Sequence, residues 1–306
     1  MLKSERIVKY FEANPDTPYR ELARIFNTSR SFVKRVLKKA DVYEDRTVLP
    51  TQLDTVIHKV PTIYKKAKVE IAIADLHVPF HDEQTVSLIL DRIRDVSPSI
   101  VVICGDLIDF YTISRWKKDP NKLTFDQEVD ATREILDRIR DACPTATKYY
   151  IQGNHEERFE SYLLTEAPAL YGKYLSLQSL LGISDFQYIN VKQLVVDTGK
   201  PFNINGLYHL HGHELVGSGY SAVYVARRMF NKTFENILFG HYHKVDTFVK
   251  RKFNMDVVTS VSLGCACQVT AEYMPINDWS QGFAEVFHYD NSFHINNRTI
   301  VNNRIY

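Results

Sequence analysis

Two rhythms of apolar residues divide the chain. Over residues 1–45 the period is helical. Ile7, Val8, Tyr10 and Phe11 recur after Ser4, which can cap a first helix; Leu22, Ala23, Ile25 and Phe26 follow Thr17-Pro18, with proline at the first helical position; Val33, Val36, Leu37 and Ala40 follow Ser29 as a third cap. Three short helices are expected there. From residue 69 onward short apolar runs alternate with amphipathic stretches: strands over 69–74, 100–104 and 148–152, helices over 83–96 and 125–142. That βαβαβ order requires parallel strands, whose carboxyl ends gather ligands. The second half is richer in strands, expected at 206–210, 236–239, 245–250, 257–263 and 282–289, with helices in 157–181 and 220–230. Residues 46–68 lose the period, broken by Pro50 and Pro61, and read as a connector; Val56, Ile57, Val60, Ile63 and Tyr64 make it apolar enough to pack on the second domain. The expected organisation is 1–45, 46–68 and 69–306, with no internal repeat.

A length of 306 residues at 44% hydrophobic content accommodates a large core and a small appended domain. The net charge of +1 gives no global pull toward nucleic acid or membrane, so any such attraction is local. One local patch exists. Arg30, Lys34 and Lys38 fall at i, i+4 and i+8 of the third helix, joined by Arg35 and Lys39, with no acid among them. The start of the chain lacks the apolar run of a signal peptide, and no stretch approaches the roughly 20 apolar residues of a membrane span. The sequence reads as cytosolic, without a membrane partner. Cys104, Cys143, Cys265 and Cys267 form neither a disulfide framework nor a C-x-x-C ribbon; the Cys265-Ala266-Cys267 triplet is read as structural, with metal binding as the alternative.

Five histidine- and aspartate-bearing motifs follow strand-like runs: Asp75-Leu76-His77, Gly105-Asp106-Leu107-Ile108-Asp109, Gly153-Asn154-His155-Glu156, His211-Gly212-His213 and Gly240-His241-Tyr242-His243. Carboxylate and imidazole together suit manganese, iron, zinc or nickel better than magnesium or calcium. In this order, over residues 69–290, the motifs resemble the calcineurin-like metallophosphoesterase family. The resemblance implies a four-layer αββα sandwich in an α/β fold class, with two divalent ions at one edge, manganese first. It implies that Asp75, His77, Asp106 and His243 hold one ion and that Asp106, Asn154, His211 and His241 hold the other. Asp106 then bridges two cations about 3.5–4 Å apart, and a bridging hydroxide attacks phosphorus. His155 is the implied proton donor to the leaving oxygen. Asp109 and Glu156 are expected to orient these groups. His213 is a candidate substrate contact, or an alternative ligand to His211. His58, His288 and His294 have no motif context and are expected to be structural.

Serine/threonine phosphatases of that family carry arginine after the second aspartate of Gly-Asp-x-x-Asp; Phe110 stands there in this chain, which favours the phosphodiesterase and nuclease branches. The following segment, residues 111–118, interleaves aromatic and basic groups. Arg115 and Trp116 in it are candidate substrate contacts, the alternative being an aromatic lid on the core. Trp279-Ser280-Gln281-Gly282-Phe283 resembles a segment of phage phosphoesterases. The first 45 residues resemble a helix-turn-helix DNA-binding domain, with Arg30, Lys34, Arg35 and Lys38 as candidate DNA contacts and a merely solvated basic face as the alternative. Together these readings give a metal-dependent phosphodiesterase targeted to DNA in a host cytoplasm. The rivals are a phosphomonoesterase or nucleotide phosphodiesterase with a protein-binding amino terminus, and a DNA-binding regulator with a sensing phosphoesterase half.

Overall fold

The computed structural model describes residues 2–15, 17–40, 67–115, 119, 123–172, 175–215, 223–270 and 276–306. The chain divides into two compact units, Met1–Lys59 and Val60–Tyr306. The expected connector lies almost wholly outside the described residues.

Among the described residues the first unit holds three helices: α1 (Lys3–Ala13), α2 (Tyr19–Ile25) and α3 (Arg30–Lys39). Ser29 caps α3 as expected, its hydroxyl accepting from Phe32 N at 3.1 Å. The other two starts are shifted. Leu2 rather than Ser4 is the first cap, its N–H bonded to the Glu5 carboxylate at 2.9 Å, and Pro18 precedes the helix instead of beginning it. Ile7, Phe11, Leu22, Val33 and Leu37 close a small core of their own.

The second unit is built on two sheets. β1 (Lys68–Ile73), β2 (Ile100–Cys104), β3 (Thr147–Ile151) and β4 (Phe186–Ile189) run parallel; β10 (Gln281–Tyr289), β11 (Ser292–Val301) and β12 (Arg304–Ile305) extend them antiparallel in the order β12-β11-β10-β1-β2-β3-β4. β5 (Asn203–Ile204), β6 (Leu207–Leu210), β7 (Ile237–Phe239), β8 (Val245–Arg251) and β9 (Val257–Leu263) form the smaller sheet, ordered β5-β6-β7-β9-β8.

Alternation along β1 shows why the sheets stack. Ile71 and Ile73 enter a core with Ile89 and Ile93 of α4 (Glu83–Val96) and Ile135 and Ile139 of α5 (Phe125–Ala142). Ala72 and Ala74 point the other way, into a second core with Leu210, Ile237, Phe239 and Leu263 of the smaller sheet. Small residues on that face let the two sheets approach. α6 (Asn154–Glu166) and α7 (Leu177–Leu181) join the first core, α8 (Val191–Thr198) contributes Val191 to the second, and α9 (Val225–Thr233) packs on the smaller sheet. The result is a mixed α/β fold of two packed sheets flanked by helices. Among the described residues no helix is long and apolar enough to cross a membrane.

Candidate metal centre

All five motifs sit just past the carboxyl ends of parallel strands: β1 delivers Asp75 and His77, β2 Asp106 and Asp109, β3 Asn154 and His155, β6 His211 and His213, and β7 His241 and His243. Two stacked sheets thus aim their strand ends at one place. The turns are tight enough that Asp75, His77, Asp106, His241 and His243 all have φ between 49° and 71°. Such left-handed backbone disfavours L-residues, and its concentration here marks a constrained site.

Among the described residues the donor atoms converge in two principal groups, Asp75, His77 and His243 in one and Asp106, His211 and His241 in the other, with two further sets, His77-Asp106-His155 and His243-Cys265-Cys267, sharing members with them; in each the ligand atoms lie within 4.8 Å of one another. His77 Nε2 faces His243 Nε2 at 3.1 Å, and His243 Nε2 lies 3.3 Å from Asp75 Oδ1. That Oδ1 is buried and has no hydrogen-bond donor. In the second group His211 Nε2 is 3.1 Å from Asp106 Oδ2, 3.1 Å from Asn154 Oδ1 and 3.2 Å from His241 Nδ1. Asp106 Oδ2 is also 3.8 Å from His77 Nε2, so one carboxylate serves both groups. Facing imidazole nitrogens beside an orphaned carboxylate oxygen are a donor set that cations satisfy, and the residues present fit divalent ions.

The electrostatics agree. Burial would push the Asp75 and Asp106 carboxyls up, yet His243 and His211 hold them below the usual range, Asp106 well below it. Burial opposes charge on His211 and His243, but Asp106 and Asp75 raise them to about 10. His241, buried beside His211, is pushed down to about 3. The carboxylates demand positive charge, and protonated imidazoles supply it where cations would sit.

Supporting bonds fix the ligands. Asp109 Oδ2 meets His77 Nδ1 at 3.1 Å, and Cys104 O meets His211 Nδ1 at 2.8 Å. Asp106 Oδ1 accepts from His155 N, at the start of α6, at 2.9 Å. Fully buried Glu156 accepts from Asp106 N, Leu107 N, Gly153 N and the Tyr150 hydroxyl at 2.6–3.0 Å, tying the β2 and β3 loops together. His155 stands beside the ligands, its Nδ1 2.7 Å from Asp109 O and its Nε2 3.9 Å from Asp106 Oδ2. Burial opposes protonation of His155, but Asp106 and Asp109 raise it to about 9.

Asp109, expected to orient these groups, lies behind His77 and His155 and meets both rings. Other expectations are revised. His213 is in neither ligand group; its Nε2 lies 3.1 Å from Glu157. Arg115 is exposed, while Trp116 lies outside the described residues. Cys265 and Cys267 are not isolated from the centre, since Cys267 Sγ is 3.9 Å from His243 Nδ1. Most consequential, the lack of arginine at position 110 does not leave the site without a cation. Arg158 reaches it from α6, with Nη2 3.3 Å from His155 Nε2. The only hint in the sequence is its spacing, three residues after His155 and so on the same helical face.

A family model for calcineurin-like phosphoesterases matches residues 71–245. The chain belongs to that family. This calcineurin-like phosphoesterase is 26% identical over 230 residues to the Gene 54 protein of Mycobacterium phage L5, covering 70% of this chain and 86% of that protein. It is 26% identical over 181 residues to the Gene 54 protein of Mycobacterium phage D29, covering 57% and 68%. Among solved structures it is similar to Vps29 from Entamoeba histolytica complexed with Zn2+, at 14% identity and a TM-score of 0.41, covering 78% of this chain and 96% of the other. It is also similar to the nuclease MPE of Pseudomonas putida, at 12% identity and a TM-score of 0.34, covering 76% and 87%. Membership makes the phosphoesterase a hydrolase of phosphoester bonds, and its clustered histidines and aspartates can hold the metal such enzymes use.

Proposed function

We propose that this phosphoesterase carries two divalent cations, cleaves phosphodiester bonds, and is brought to DNA by its amino-terminal helices. The observation that carries the two-cation reading is Asp106, whose Oδ2 lies 3.1 Å from His211 Nε2 of one donor group and 3.8 Å from His77 Nε2 of the other. Asp75, His77, Asp106 and His243 would hold one ion, and Asp106, Asn154, His211 and His241 the other. Manganese is the expected ion, with iron, zinc or nickel as alternatives for this nitrogen–oxygen set. Such a pair supplies charge for the phosphoryl oxygens and an acidified water.

The chain's own part is proton transfer and alignment. His155, its Nδ1 occupied by Asp109 O, presents Nε2 to the side of Asp106 and gives a proton to the departing oxygen. Asp109 keeps His77 and His155 in register.

The DNA reading rests on α3. Arg30, Arg35 and Lys38 are exposed there and Lys34 half-buried, on a helix that packs against α2 across a short turn. That arrangement supports a helix-turn-helix whose second helix meets phosphates and base edges. The mycobacteriophage relatives support a phage-encoded enzyme acting in host cytoplasm. The test is cleavage of end-labelled single- and double-stranded DNA by metal-stripped protein with manganese restored, beside an Asp106→Asn control. Metal-dependent cutting that vanishes in the control is expected; no cutting, with a small ester still hydrolysed, refutes a DNA substrate.

One observation favours a second reading. Arg158 restores a cation of the kind that phosphomonoester dianions require, so a phosphomonoesterase whose helices bind protein is the main rival. Equal or faster turnover of p-nitrophenyl phosphate than of its bis ester would favour that rival. The sensing regulator is disfavoured by the complete donor set.

A further inference from the structure

Phe110 explains why the site cannot draw its anion-binding cation from the β2 loop. Its backbone is left-handed, with φ at 53°, which turns the side chain into the core. There the ring is fully buried and stacks on Phe159 of α6 at 5.0 Å and on Phe125 of α5 at 6.1 Å. A charged side chain in that stack would have to give up water for an aromatic environment.

Arg158 comes to the same loop from the opposite side. Its Nη1 donates to Asp109 O at 2.8 Å and to Phe110 O at 3.4 Å, so the loop that carries Asp106 also fixes the guanidinium. Its Nη2 reaches His155 Nε2 at 3.3 Å, and that nitrogen is 3.9 Å from Asp106 Oδ2. Asp109 Oδ1 lies 3.9 Å from its Nη1, too long for a charge-assisted hydrogen bond. The side chain retains 22% of its exposure. It is therefore a pre-oriented, half-buried guanidinium, braced by two main-chain carbonyls and His155 Nε2, with no carboxylate among the described residues within charge-assisted hydrogen-bond reach. Planar guanidinium forks with these properties bind phosphoryl oxygens.

We infer that Arg158 is the anion clamp of this centre and binds a non-bridging oxygen of the phosphoryl group, the task that position 110 cannot perform. The inference rests on the phosphoesterase reading of the site, and it makes Arg158 a substrate-binding residue rather than a brace for the loop. A monoester dianion gains more from it than a diester monoanion, so Arg158 also sets the preference between them.

The test is calorimetric titration of inorganic phosphate into the metal-loaded full-length protein, for wild type, Arg158→Gln and Arg158→Lys, with metal content measured in each. Glutamine keeps amide donors for the two carbonyls but removes the charge; lysine keeps the charge. The expected result is phosphate binding at least about ten-fold weaker in Arg158→Gln, partly recovered in Arg158→Lys, with metal content unchanged. Undiminished phosphate binding in Arg158→Gln, no recovery with lysine, or loss of metal from Arg158→Gln would each overturn the clamp, the last two by showing a bracing role. Absence of phosphate binding in wild type would overturn it as well. Because binding is read without turnover, a protein that binds phosphate through Arg158 yet hydrolyses no ester would refute the enzymatic reading while leaving the clamp intact.

Discussion

Glycines at the strand ends have no room for a side chain. A Cβ at Gly153 would lie 2.2 Å from Asp106 Oδ1, and one at Gly240 would lie 2.5 Å from Asp75 Oδ2. Both neighbours are candidate metal ligands. Gly153→Ala and Gly240→Ala should each hold less metal per chain than wild type, measured by metal analysis after dialysis, whereas Gly199→Ala, next to nothing within 4 Å although at φ 71°, should match wild type. Glu156 gives a second prediction. Its loss leaves three buried backbone N–H groups and the Tyr150 hydroxyl without their acceptor, so Glu156→Ala should cost about 3 kcal/mol or more in urea unfolding. A cost below about 1 kcal/mol would mean the two loops are held by other bonds. The ligand motifs were legible as letters because metal donors are few in kind and recur after strands. Glu156 was expected to orient the ligands, but that it does so through main-chain N–H groups of two loops was not legible, and Arg158 left only its spacing from His155 as a hint, because such contacts depend on which backbone groups the loops present to a helix.

Elements with one plain period were read closely. α4, β2 and α5 have the bounds that their apolar patterns predict. β11 escaped notice because its polar residues are bonded across to other strands: Arg298 to Glu285 on β10, and Asn297 to the main-chain oxygens of Asp246 and Ser262. Their polarity imitates a loop. A similar cross-strand set ties β1, β6 and β10. Glu70, fully buried, lies 2.8 Å from His209 Nε2 and 2.7 Å from His288 Nε2. Burial would raise this carboxyl, but the two histidines pull it down to about 2 from 4.5. A carboxyl depressed on folding contributes stability that is complete above its unfolded value and fades as pH falls toward its folded one. The stability difference between wild type and Glu70→Gln, both with metal chelated, should be about 3 kcal/mol above pH 4.5 and vanish near pH 2. A difference independent of pH across that window would show that Glu70 acts by packing alone.

At the scale of the whole chain, two units with separate cores allow binding and hydrolysis to be lost separately. Deleting residues 1–45 should weaken DNA binding in a gel-shift assay and leave hydrolysis of bis-p-nitrophenyl phosphate within about two-fold of wild type. Unchanged DNA affinity would refute targeting by the helices. The larger unit has a different dependence on chain order. β1, which delivers Asp75, lies in the middle of its sheet because β10 pairs along its other side, Lys68 opposite His288. The histidine, aspartate and asparagine candidates of the five motifs all precede residue 244, and the family match stops at 245, but β10 spans Gln281–Tyr289. A ribosome that has released the chain as far as residue 260 has therefore made all five motifs but not their frame: β1 has a bare edge and Glu70 lacks His288. Until β10 emerges, a nascent chain carries His77, His155, His211, His241 and His243 through synthesis without the edge strand that frames β1.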